Sequence, residues 1–83
     1  MTELDARHRN ALPERSFAYI DSRGGGHLPI HDAAHVRNAA ARFNQTDFES
    51  AKARRGAARH IVAAAKHFDV QLADDDAVVT ASR

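Results

Sequence analysis

Alanine fills as many of the apolar positions of this sequence as all the bulkier side chains together, and that limits the fold more than any motif. The side chains available for a core are Leu12, Phe17, Tyr19, Ile20, Leu28, Ile30, Val36, Phe43, Phe48, Ile61, Val62, Phe68, Val70 and Leu72. With 83 residues, the chain makes one small domain that buries only about 60% of its unfolded surface. Such a set supports one thin core with close helix packing and leaves little room for an enclosed ligand cavity. Self-association is an easy way for so small a domain to add burial.

The chain has no cysteine, so disulfides, thiolate metal sites and cysteine nucleophiles are excluded. Residues 1–10 are polar and do not resemble a signal peptide. No stretch approaches the roughly 18 apolar residues of a membrane span. A cytoplasmic location is the expectation. Net charge is +1, but its distribution is uneven. Seven Lys and Arg face two acids between Arg37 and Lys66, whereas Asp74, Asp75 and Asp76 precede the closing Arg83. A basic helical body is thus followed by an acidic end.

Along the chain, residues 2–10 allow a frayed helix, and Pro13 then breaks it. Phe17-Ala18-Tyr19-Ile20 reads as a strand, Asp21–Gly26 as a turn and His27–Ile30 as the return strand. Pro29 cannot donate to a ladder, so that strand is short or at an edge. The glycines lead to His27-Leu28-Pro29 rather than Lys-Ser/Thr, which favours turn chemistry over a phosphate loop. Val36, Ala39, Ala40 and Phe43 recur with helical spacing and predict a helix over 32–43. Asn44–Asp47 interrupts it, with Thr46 or Asp47 placed to cap a second helix over 48–68. Ala57, Ala58, Ile61, Ala65 and Phe68 form the apolar face of that helix. The expected fold is α+β and mainly helical. A β-hairpin over 17–30 and an antiparallel helical pair form a single domain at 1–72, with a disordered acidic tail at 73–83.

His31-Asp32-Ala33-Ala34-His35 copies the spacing of the zinc motif H-E-x-x-H. Asp is one methylene shorter than Glu, and no third ligand stands out nearby. Asp32 also suits an N-cap, which would place His31 outside the helix and make cap and metal pair close to mutually exclusive. The cap is the preferred reading, with His31 and His35 kept as a metal-binding alternative. No catalytic residue is assigned, because Ser16, Ser22, Ser50 and Ser82 lack a nucleophile-elbow context. No cofactor is expected.

Lys52, Arg55, Arg59 and Lys66 fall within one sector of the second helix. With Arg37 and Arg42 they could follow a phosphate backbone. No aromatic interleaves with them, Tyr19 being the one exposed-aromatic candidate, so a solvated helix face is preferred. The acidic tail could fold back and screen the stripe. Arg54 falls on the apolar side near Ile61, where it snorkels, pairs with an acid such as Asp47, or meets another subunit.

Leu12-Pro13, Ser16–Ser22, the run Leu28-Pro29-Ile30-His31-Asp32-Ala33-Ala34-His35-Val36-Arg37-Asn38-Ala39 and Ala41–Gln45 resemble an uncharacterised bacterial family. Its members are often actinobacterial or phage-associated. The resemblance covers roughly residues 12–70 and implies no activity, ligand or site residue. It departs at Ala40, where the family pattern has leucine. It fits a local polar structure at the helix start, with Arg37 and Asn38 bonded back to the hairpin. The favoured function is a non-enzymatic interaction module that binds a protein partner or itself. A sequence-tolerant nucleic-acid binder and a histidine metal module are the alternatives.

Overall fold

The computed structural model describes residues 16–83, so the helix expected over 2–10 and Leu12 lie outside the described residues. Strands β1 (Phe17–Ile20) and β2 (Gly26–Pro29) pair antiparallel, with Phe17 opposite Pro29, Tyr19 opposite His27 and Ile20 opposite Gly26. In a two-stranded sheet both strands are edges, which is where Pro29 is tolerated.

The turn between them is built around Asp21. Its Oδ1 accepts from the amides of Arg23 and Gly25 at 2.9 and 2.8 Å, and its Oδ2 lies 2.8 Å from His27 Nε2. The loop amides therefore serve the chain's own carboxylate, an Asx-type turn and not a phosphate cradle. Gly24 takes φ 84°, the left-handed region open to glycine. Leu28 takes φ 60° although it is bulky and buried. That conformation costs about 1–2 kcal/mol for an L-residue. The bond from Ile30 N to Ser16 O at 2.7 Å holds the chain on its far side.

Helix α1 spans Ala33–Arg42 and continues as a single 3-10 turn, Phe43–Gln45. Asp32 is its N-cap, accepting from His35 N at 2.8 Å. Thr46 does not cap the next helix; its hydroxyl donates back to Arg42 O at 2.9 Å. Helix α2 spans Ala51–His67 with Ser50 as its cap, accepting from Ala53 N at 3.0 Å. The expected start at Phe48 is thus corrected to Ala51. The reason is Phe48 itself. Its ring lies 5.0 Å from that of Tyr19 and 5.3 Å from that of Phe43, and that placement holds the segment out of the helix. Tyr19 is correspondingly buried, not the exposed aromatic expected, and its hydroxyl accepts from Glu49 N at 3.3 Å.

At its far end α2 closes in a Schellman pattern. Val70 N donates to Ala65 O at 2.7 Å and Asp69 N to Lys66 O at 3.4 Å, with Asp69 at φ 59°. The segment after it corrects a second expectation. Residues 73–83 are not a disordered tail: Ala77–Ser82 form helix α3, capped by Asp76, which accepts from Val78 N at 3.0 Å. Val78 is fully buried against the rest of the core.

That core draws on every element. Tyr19, Leu28 and Ile30 come from the hairpin, Val36 and Phe43 from α1 and the turn after it, Ile61 from α2 and Val78 from α3. Ala39, Ala57, Ala58 and Ala65 fill the contacts between elements, the close alanine packing that the composition implies. Ala40, where the resemblance has leucine, is only partly buried.

Candidate functional site

Strand β1 and helix α2 do not close completely on one another. Between them lies an open groove of about 890 Å³, lined by Phe17, Ile20, Ile30, Gly56, Ala64 and Phe68. Its position follows from the sequence of α2. The small residues Ala53, Gly56, Ala57 and Ala64 face β1, where bulky side chains would have filled the space. One polar bond spans the two elements: His60 Nδ1 donates to Ala18 O at 3.0 Å. His31, His60 and His67 stand along the groove, with Ser16 as a further polar member.

Gly56 is the informative residue. A glycine inside a helix is less favourable than alanine by about 0.8–1.0 kcal/mol. Here a Cβ would meet nothing within 4 Å, so no internal contact requires the missing side chain. The groove floor is therefore lower at Gly56 than folding demands.

The histidine cluster combines two features that spacing makes close to mutually exclusive. Asp32 caps α1 and His31 lies outside the helix, as expected of a cap. Yet the rings of His31 and His35 stack with centroids 4.2 Å apart, and both histidines reach Asp32. Cap and histidine pair coexist, because the extended backbone at Asp32 folds His31 back over the first turn. Asp32 Oδ1 accepts from both N and Nδ1 of His35, at 2.8 and 2.7 Å, while His31 Nε2 lies 3.7 Å from Oδ2. The His35 amide, followed by the His35 ring, holds the Asp32 carboxyl below its ordinary range. The Arg37 and Asn38 side chains are exposed and make no hydrogen bond among the described residues, so the expected link to the hairpin does not form.

Lys52, Arg55, Arg59 and Lys66 are all exposed along one side of α2. By helical register they run beside the groove positions Gly56 and Ala63. Arg59 is tied down, its Nε donating to Ser82 O at 3.2 Å. Arg37 and Arg42 are exposed on α1, a different helix, and have no ion-pair partner among the described residues. The acidic segment does return to α2, but through Val78. No salt bridge joins Asp74, Asp75 or Asp76 to the stripe among the described residues.

Among the described residues no helix is long and apolar enough to cross a membrane. The architecture defines a hairpin-and-helix domain with an apolar groove, a basic flank and a histidine–aspartate cluster. The chain belongs to a family of unknown function (DUF6582), whose family model matches residues 3–75. No curated protein and no solved structure matches it.

Proposed function

We propose that this domain is a non-enzymatic interaction module whose groove between β1 and α2 receives an amphipathic helix of a protein partner, with acidic residues along one flank. The observation that carries the reading is the open apolar groove with Gly56 in its floor. A helix laid in a groove of small residues buries its apolar face against the floor, and such anchoring is a recurrent mode of peptide recognition. The charge of the partner follows from the flank. Lys52, Arg55, Arg59 and Lys66 run beside the groove, and no Asp or Glu lines it. An acidic flank on the partner complements that field and speeds encounter. The same helix already receives α3, a short acid-led segment, on another of its faces.

The test is an NMR titration of the full chain with a synthetic helical peptide carrying leucines on one face and glutamates on its flank. A lysine-flanked counterpart and a DNA duplex serve as comparisons. The expected result is saturable shifts at Phe17, Ile20, Gly56 and Ala64, weaker for the lysine peptide and absent in Gly56→Glu. No shift with either peptide, together with DNA binding that weakens steeply with salt, would replace this reading with the phosphate-binding one through Lys52, Arg55, Arg59 and Lys66. A second copy as occupant would instead give concentration-dependent mass by light scattering without any peptide.

A further inference from the structure

We infer that His31, Asp32 and His35 form a binding site for a divalent transition-metal ion of zinc-like chemistry, at the rim of the groove but independent of what the groove holds. One ligand atom from each residue lies within 4.8 Å of the others. Two contacts within the cluster are shorter, 2.7 Å from His35 Nδ1 to Asp32 Oδ1 and 3.7 Å from His31 Nε2 to Asp32 Oδ2. Ligand atoms around a tetrahedral ion with bonds of about 2.0–2.1 Å stand roughly 3.4 Å apart. The two contacts to Asp32 lie on either side of that value and the whole set stays within 4.8 Å, so side-chain rotations bring the three onto one ion.

The local fold prepares the donors. The Asp32 carboxylate is oriented by its cap bond to His35 N, 2.8 Å from Oδ1. An ionised carboxylate only accepts, so His35 Nδ1 carries the proton between them. A metal ion takes the place of that proton, and the proton leaves to solvent on binding. The stacked rings already hold His31 and His35 side by side. Their side chains and that of Asp32 are 33, 42 and 51% exposed, so an ion can enter and water can complete its shell.

The donor set selects the metal. Two imidazoles with one carboxylate suit Zn²⁺, Co²⁺, Ni²⁺ or Cu²⁺, whereas Mg²⁺ and Ca²⁺ favour all-oxygen sites. The positive end of α1 opposes a cation there, but the Asp32 charge lies between them.

The experiment is calorimetric titration of the full chain with ZnCl₂ and, separately, MgCl₂, with imidazole nitrogens followed by NMR. One equivalent of zinc is expected, with proton release and with the His31 and His35 ring nitrogens shifting. His31→Ala leaves the cap and helix α1 intact, so its circular dichroism should match the parent while zinc affinity falls at least about tenfold. His60→Ala/His67→Ala should bind zinc as the parent does. Absence of saturable zinc binding, unchanged affinity in His31→Ala, loss confined to His60→Ala/His67→Ala, or magnesium binding as tightly as zinc would each overturn the assignment.

Discussion

The guanidinium of Arg54 lies over the ring of Phe43, 4.7 Å from its centroid, and its Nη2 donates to Asn44 Oδ1 at 3.1 Å. Phe43 is fully buried from every other side, so Arg54 is the lid on that part of the core. This accounts for a cation on the apolar side of α2, and it does so without Asp47 and without a second subunit. A cation over an aromatic face at an exposed site contributes about 0.5–1 kcal/mol. Arg54→Ala should therefore lower stability in urea by about that amount. Arg54→Lys should lose part of it, because the planar bond to Asn44 is gone. Equal stability in all three proteins would show the stack to be incidental.

Helix α3 makes a stronger demand. Val78 is fully buried, and fully burying a valine side chain stabilises by about 1.5–3 kcal/mol. Val78→Ala should cost roughly 1–2 kcal/mol in a domain with little to spare. Ending the chain after Asp76 should cost more, because it also removes the bond from Arg59 to Ser82 O. Thermal melts of the two variants decide between a helix that belongs to the core and one that only rests on it. Unchanged melting after truncation would restore a dispensable tail.

Helix α3 is not legible in local pattern, for a physical reason. Val78 and Val79 are poor helix formers, and six residues do not hold a helix without tertiary contacts. Asp76 stands as a cap ahead of Ala77-Val78, but residues 73–83 carry no apolar periodicity to announce a helix. Helix α1, by contrast, was legible. Val36, Ala39 and Phe43 keep helical spacing, and Asp32 caps through a bond three residues long. The start of α2 was not, because Phe48 answers to Tyr19 across the hairpin and not to its own neighbours. The groove was invisible for the same reason, since it needs Ala18 and His60 brought together across the fold. The histidine cluster was recognised by spacing, but its geometry turns on the extended backbone at Asp32, which spacing does not encode.

Two glycines should respond oppositely to the same substitution. A Cβ on Gly26 would stand 2.7 Å from the Phe17 ring, so Gly26→Ala forces that ring or the strand to move. Overpacking of this kind costs about 1–3 kcal/mol. A Cβ on Gly56 meets nothing within 4 Å, so Gly56→Ala should stabilise by about 0.8–1.0 kcal/mol through helix propensity. Denaturation of both variants should place them on either side of the parent. A destabilised Gly56→Ala would mean that the groove is narrower than described and would weaken the docking proposal with it.

The acid limb of stability should trace to two aspartates. The His27 ring, followed by the Gly25 amide, lowers the Asp21 carboxyl, and the His35 amide and ring lower that of Asp32, both from an ordinary 3.8. Between that value and the lower folded one, the unfolded chain binds more protons than the native domain, so stability rises with pH there. The contribution is complete above 3.8 and disappears as pH falls through the folded values. Asp21→Asn/Asp32→Asn removes the charge and keeps a side-chain carbonyl at both positions. Its melting temperature should lie below the parent's at pH 6 and converge with it as pH falls through the lowered folded values of the two parent carboxyls. Curves that stay parallel to the lowest pH would assign the loss to altered hydrogen bonding and not to charge.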